Sequence, residues 1–367
     1  MQSTIFNDGS IVLPACNPTF FYTPTELPFG ERLRILTEHG PREYRAVWME
    51  DDELKMIDQR LLPERFEVLG FGEVDAVGRA IKNMTVRGAP AIGAAAAYGM
   101  ALAALQGKDL RESAELLKSQ RPTAHDLFYA VDFMVEALGR GEEPVIAANR
   151  YTSQIIEKCR LIGMNGALLI KDGDRIMTHC NAGALATVDY GTALAPIRMA
   201  WRGGKKLFVY VSETRPRLQG MKLTAYELRN EEIPHAIIVD GASGHFMHKG
   251  VDMVIVGADR VALNGDFANK IGTFEKAVLA KELGIPFYVA APISTFDFRT
   301  ESGTDIVIED RDEDEVLVMD GKRIAPEGSG ALNPSFDMTP AKYVMGFITE
   351  IGVLGPDQIT RVKGARI

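Results

Sequence analysis

Apolar positions follow two different rhythms along this chain. From residue 44 onward, short strand-like pieces at 44–49, 54–58 and 66–69 are separated by acidic or proline turns, which predicts a small antiparallel sheet. A 3.6-residue period then takes over and predicts helices at 73–84, 89–105, 110–119, 124–138 and 143–169. The stretch 89–105 is apolar on every face, rich in Ala and Gly, and reads as a buried helix. Beyond the polar turn Lys171-Asp172-Gly173-Asp174 the pattern becomes a regular alternation. Strands are predicted at 175–179, 207–212, 235–239, 253–256 and 287–290, with helices at 191–201, 218–230, 244–248 and 273–282 between them. Strands alternating with helices at this spacing mean βαβ units and a mainly parallel sheet.

The fold class that follows is α/β, with an α+β N-terminal domain at 1–170 and a mainly parallel C-terminal domain at 171–367. A last helix is expected at 339–350, and the acidic run from Glu309 to Glu315 reads as a solvated face or loop. Residues 1–42, with the aromatic cluster Phe20-Phe21-Tyr22, receive no assignment.

Composition narrows the function. A formal charge of −9 argues against a sequence-independent grip on nucleic acid or on an acidic membrane face, since both need a basic patch. No signal peptide is expected from the uncharged, weakly apolar N-terminus, and no apolar run has the length of a membrane span. Three cysteines, Cys16, Cys159 and Cys180, without CxxC spacing, fit a reducing, cytoplasmic setting.

Candidate chemistry gathers at the ends of the predicted strands of the second half. Thr178-His179-Cys180-Asn181-Ala182-Gly183, Glu213-Thr214-Arg215-Pro216, Asp240-Gly241, Gly257-Ala258-Asp259-Arg260 and Ala291-Pro292 are each small or polar clusters closing an apolar run. In open α/β sheets the ligand crevice lies beyond the carboxyl ends of the strands, so these clusters would face it together. Asp259 beside Lys270 suggests proton transfer next to an anionic group, against the alternative of an ordinary surface pair. A cysteine in the position of Cys180 can be a nucleophile, a metal ligand, a proton shuttle or an inert small hydrophobe. His245 and His248 form only an isolated HxxH, too few ligands for a zinc site, so no metal is expected. The dinucleotide fingerprint and the Walker loop are both missing, which argues against nicotinamide cofactors and ATP. Arg87-Gly88-Ala89-Pro90 opens the buried helix: Pro90 suits a first turn, Gly88 allows close backbone approach, and Arg87 stands beside free amides. That combination makes a phosphate cradle or simply a helix start with a surface arginine, and Arg121-Pro122-Thr123-Ala124 begins another helix in the same manner.

Several segments resemble one known family. They are Asp58 to Pro63 (DQRLLP), Val86 to Gly93 (VRGAPAIG), Arg121 to Ala124 (RPTA), Thr178 to Gly183 (THCNAG), Glu213 to Gly220 (ETRPRLQG), Gly257 to Arg260 (GADR), Asn269 to Thr273 (NKIGT) and Lys322 to Gly328 (KRIAPEG). The chain is similar, from residue 58 to about 350, to the methylthioribose-1-phosphate isomerase family of methionine salvage. The wider superfamily includes ribose-1,5-bisphosphate isomerases and regulatory subunits of a translation-initiation guanine-exchange factor. The resemblance implies a catalytic pair, Cys180 and Asp259, with Arg87, Gly88, Ala89, Arg121, Gln219, Asn269 and Lys270 binding the phosphorylated sugar. It further implies a homodimer without metal or organic cofactor, and a small N-terminal domain followed by a Rossmann-like C-terminal domain. Isomerases of 5-deoxyribose 1-phosphate or ribose 1,5-bisphosphate could share the pair and differ at the sugar's 5-position. Regulatory subunits generally lack it.

Overall fold

The computed structural model describes residues 32–37, 40–122 and 124–363, so the aromatic cluster Phe20-Phe21-Tyr22 lies outside the described residues. Strands β1 (Leu33–Thr37) and β2 (Gly40–Tyr44) form an antiparallel pair; β3 (Val47–Glu50), β4 (Glu53–Ile57) and β5 (Val68–Phe71) form an antiparallel three-stranded sheet. The strand expected at 44–49 is therefore two strands. The break falls at Ala46, whose N–H donates to Val188 O and whose carbonyl accepts from Ile57, so neither group is available to continue β2.

Five helices follow: α1 (Val74–Lys82), α2 (Ala89–Leu105), α3 (Leu110–Ser119), α4 (His125–Gly139) and α5 (Pro144–Ala167). The carboxylates of Asp109 and Glu143 accept the first free amides of α3 and α5, which fixes where each begins. Helix α2 is buried through nearly its whole length, and its small residues let neighbours approach closely. A Cβ on Gly93 would stand 2.6 Å from Tyr151 Oη on α5.

The rest of the chain builds a large, mostly parallel sheet. Its elements are β6 (Arg175–Thr178), α6 (Ala184–Thr187), α7 (Leu194–Arg202), β7 (Phe208–Ser212), α8 (Ala225–Asn230), β8 (His235–Ile238), α9 (Ser243–His248), β9 (Met253–Val256), β10 (Arg260–Ala262), β11 (Phe267–Lys270), α10 (Thr273–Glu282), β12 (Phe287–Ala290), β13 (Phe296–Asp297), α11 (Asp314–Leu317), β14 (Val318–Met319), β15 (Lys322–Arg323), β16 (Phe336–Thr339), β17 (Gly346–Thr349) and β18 (Gly352–Leu354). The sheet runs β18-β17-β12-β9-β6-β7-β8, and every pairing is parallel except that of the edge strand β18. From β6 the chain winds one way through β7 and β8, then returns to β9 on the other side of β6 and continues outward. The crevice of such a sheet opens between the strands where the winding reverses, here β6 and β9.

Two features of this half differ from the sequence reading. Residues 339–350 are not a helix: Thr339 ends β16, and β17 pairs with β12 in the register Tyr288↔Gly346 to Ala290↔Ile348. Val344, Phe347 and Ile348 are spaced as on a helix, but the sheet edge left by β12 takes up the backbone of 346–349. The second unforeseen feature is a smaller sheet in the order β13-β10-β11-β16, carried by the hairpin β10–β11. Its turn contains Asn264-Gly265, with Gly265 at φ 85°, the dipeptide that ordinarily marks a hairpin.

Candidate active site

A cavity of about 370 Å³ opens at the switch point between β6 and β9. The implied catalytic pair and the implied sugar-binding residues all line it: Cys180, Asp259, Arg87, Gly88, Ala89, Arg121, Gln219, Asn269 and Lys270. The strand-end clusters Glu213-Thr214-Arg215-Pro216 and Asp240-Gly241, expected at the same crevice, do not. Its size is within the range of small-molecule sites.

Cys180 follows β6 in a left-handed conformation, φ 63°, held from both sides. Its N–H donates to Thr214 Oγ1 at 2.9 Å, and its carbonyl accepts from Thr224 Oγ1 at 2.6 Å. Thr214 itself belongs to the loop after β7, whose backbone is tied down by Asp240: the carboxylate accepts from Thr214 N at 2.9 Å and Arg215 N at 2.7 Å. Burial pushes the Cys180 thiol up, while Arg87 and Lys270 pull it down.

Asp259 stands three residues beyond β9, where the chain passes Gly257 and Ala258. A Cβ on Gly257 would come within 2.9 Å of Ala182 Cβ, so glycine lets the ends of β9 and β6 approach. The N–H of Asp259 donates to Ala268 O at 2.9 Å, which anchors it to β11. Burial raises its carboxyl above the usual range, against the pull of Lys270, Arg87 and Arg121. Lys270, at the end of β11, donates to Ser335 O at 2.7 Å and lies 4.2 Å over the Phe336 ring. Its ammonium is lowered by burial, with Cys180 and Asp259 acting the other way.

The cationic wall comes from helix starts. Gly88 precedes α2 at φ 93°, and a Cβ there would strike Ala186 Cα at 2.4 Å, so only glycine lets the start of α2 rest on α6. Arg87 binds Asn181 twice, through Nη1 to Oδ1 at 3.0 Å and Nη2 to the backbone carbonyl at 3.1 Å. The carbonyl of Arg121, before α4, accepts from Ala124 N at 3.0 Å, while its guanidinium makes no hydrogen bond among the described residues and is lowered by burial. Gln219 is buried with its Oε1 unpartnered among the described residues, and Asn269 Nδ2 donates to Thr273 Oγ1 at 3.0 Å.

Some lining residues were given no role in the site by the sequence reading. His179 is buried, its Nε2 2.8 Å from Ile271 O, and burial together with Lys276 pushes its imidazole down to about 3. It is therefore neutral, with Nε2–H donating. Glu309 and Arg311, from the run expected to be a solvated loop, also line the cavity, beside Ile306 and Ile308. Residues 309–311 reach it because Ser335 N donates to Glu309 O and Arg311 N to Asn333 O. Arg311 Nη2 and Arg217 Nη1 both donate to Glu315 Oε1, at 2.7 and 2.8 Å. His245 and His248 lie on α9 and do not line the cavity.

Comparison with known proteins places the chain. Residues 85–356 match the initiation factor 2 subunit family. The methylthioribose-1-phosphate isomerase of Roseiflexus castenholzii is 48% identical over 336 residues, covering 85% of this chain and 95% of the relative. The crystal structure of 5-methylthioribose 1-phosphate isomerase from Pyrococcus horikoshii OT3 matches with a TM-score of 0.82 and 42% identity, covering 92% of this chain and 97% of that one. A structure titled as translation initiation factor eIF-2B, subunit delta, from A. fulgidus matches with a TM-score of 0.80 and 42% identity, over 88% of this chain and 99% of that one. The chain belongs to the initiation factor 2 subunit family and, within it, stands with the methylthioribose-1-phosphate isomerases.

Proposed function

We propose that the protein is an aldose–ketose isomerase that converts 5-methylthioribose 1-phosphate to 5-methylthioribulose 1-phosphate in methionine salvage. The observation that carries this reading is the shared cavity at the switch point, where the thiol of Cys180, the carboxyl of Asp259 and the cations Arg87, Arg121 and Lys270 line one space. The α2 start, with Gly88 and Ala89, and the arginines take the phosphate, since free amides and guanidinium groups suit its oxygens. Gln219 and Asn269 meet sugar hydroxyls.

Phosphate on the anomeric carbon prevents the sugar from opening to a free aldehyde, so an acid is needed. A carboxyl raised by burial holds its proton to higher pH than an exposed one does. Asp259 gives that proton to the ring oxygen, which leaves C1 as the 4-hydroxyl, and the resulting carboxylate takes the proton of the C2 hydroxyl as the ketone forms. Hydrogen moves from C2 to C1 within the same molecule, so the reaction as proposed draws on no organic cofactor and no metal.

The buried thiol, raised by its surroundings, is a poor base, and this favours a direct hydride shift in a cavity that Cys180 lines. Arg87 and Lys270 favour the thiolate and support a second reading, an enolate with Cys180 as proton carrier. Substrate deuterated at C2 separates them: retention of the label at C1 in ordinary water is expected, and wash-out to solvent would give Cys180 the proton.

At the 5-position, Ile306 and Ile308 in the lining favour a methylthio group over a second phosphate. The initiation-factor neighbour supports a rival role in assembly; stable association with a translation factor and no isomerase activity would favour it. Residues 1–170 as an α+β domain, 171–367 as a Rossmann-like catalytic domain, and a homodimeric state complete the proposal.

A further inference from the structure

Beneath the turn Asn181-Ala182-Gly183 lies a carboxylate that does not line the cavity. Glu227, on α8, is 0% exposed, and its oxygens meet only donors on this side: Asn181 Nδ2 at 2.8 Å, Ala184 N at 2.7 Å and Leu185 N at 3.4 Å. The fit is close. A Cβ on Gly183 would come within 2.3 Å of either carboxylate oxygen. The π-helical turn Gly220–Thr224 just before α8 brings Thr224 beneath the same turn. Thr224 Oγ1 gives its hydrogen to Cys180 O at 2.6 Å and can only accept from Asn181 Nδ2, 3.2 Å away. Both neighbours of that amide nitrogen are thus acceptors, which leaves the amide oxygen turned to Arg87.

We infer that Glu227 is a positioning residue for the anion site: it fixes the Asn181 amide so that its oxygen, with the Asn181 carbonyl, aims the Arg87 guanidinium into the cavity. The role rests on the proposed binding of a sugar phosphate at Arg87. A guanidinium held on two acceptors loses little freedom when phosphate arrives, so affinity depends on a carboxylate that never touches the ligand. Because the Cys180 carbonyl joins the same network through Thr224, one buried acid orients the anion site and the thiol-bearing residue together.

The test is the calorimetric affinity for inorganic phosphate, which needs no turnover, with thermal unfolding recorded for each variant. Glu227→Gln keeps the volume but places an NH₂ among donors, so the Asn181 amide turns over and presents its own NH₂ to Arg87. Glu227→Gln and Asn181→Ala should each weaken phosphate about tenfold, the scale of one hydrogen bond to a charged group. In an Arg87→Ala background neither should add more than about twofold, as expected for residues acting through that arginine. A folded Glu227→Gln that binds phosphate as the wild type does, or an undiminished loss in the Arg87→Ala background, overturns the role. If Glu227→Gln fails to fold, Asn181→Ala, which leaves Glu227 its backbone donors, carries the same cycle, and unchanged affinity there overturns it equally. Wild-type protein that turns over methylthioribose 1-phosphate despite such a result would lose only this inference; protein that neither binds phosphate nor turns over the sugar would lose the proposed function too.

Discussion

Asp259 is pressed by burial toward its neutral form and by Lys270, Arg87 and Arg121 toward its charged one, a balance suited to a group that must give and retake a proton. Asp259→Asn keeps the shape and removes the ionisable proton; steady-state turnover should fall by roughly two to four decades. Near-normal turnover would move the acid elsewhere. Gly88 makes a separate claim about backbone. Its φ of 93° and the 2.4 Å approach to Ala186 leave no room for a side chain, and Gly88→Ala should lower unfolding stability by about 2 kcal/mol or more, read from denaturant midpoints. Cys180 and Asp259 stood out because small residues surround them at the close of apolar runs, and Arg87 because it opens a helix beside Gly88 and Pro90; their roles came from the family resemblance. Glu227 was not, since nothing around Tyr226-Glu227-Leu228 distinguishes a buried acid from a solvated one until the π-helical turn is known. Glu309 and Arg311 were hidden for a related reason: charge density suggests water, and only the pairing of 309–311 with 333–335 brings them to the cavity.

Among elements, those with a long or uniform pattern announced themselves. Helix α2 has small and apolar residues on every face, and β9 is four apolar residues buried along its whole length. Strand β17 gave the opposite signal because short apolar runs carry both periods, and the choice was made by the edge of β12 rather than by propensity. This placement has a measurable consequence. Phe347 is 0% exposed and packs at 5.6 Å from the Phe296 ring and 6.4 Å from that of Phe267, joining the large sheet to the small one. Phe347→Ala should cost about 3–5 kcal/mol of unfolding free energy. A loss below about 1 kcal/mol would contradict the buried strand.

At the scale of the whole molecule, buried acids set how stability follows pH. Burial pushes Asp189 up to about 7, with Arg198 opposing it, so the folded state binds a proton that the unfolded chain, near 3.8, has already released. The stability tied to this proton is complete below pH 3.8 and is lost as pH rises through about 7. Glu315 works in reverse. Held at about 2 by Arg311 and Arg217 in spite of burial, it stabilises the fold above its ordinary value of 4.5 and loses that contribution as pH falls through 2. Thermal unfolding of Asp189→Asn should therefore gain on the wild type between pH 4 and 7, and parallel curves would mean that Asp189 is charged in the folded protein.

Substrate choice depends on the whole cavity rather than on any single residue. Turnover of methylthioribose 1-phosphate by the purified protein, measured as kcat/KM beside 5-deoxyribose 1-phosphate and ribose 1,5-bisphosphate, tests it most directly. Formation of the 2-ketose from methylthioribose 1-phosphate, with the highest kcat/KM of the three, is the expected result. No ketose from that sugar, or a preference for the bisphosphate, would contradict it.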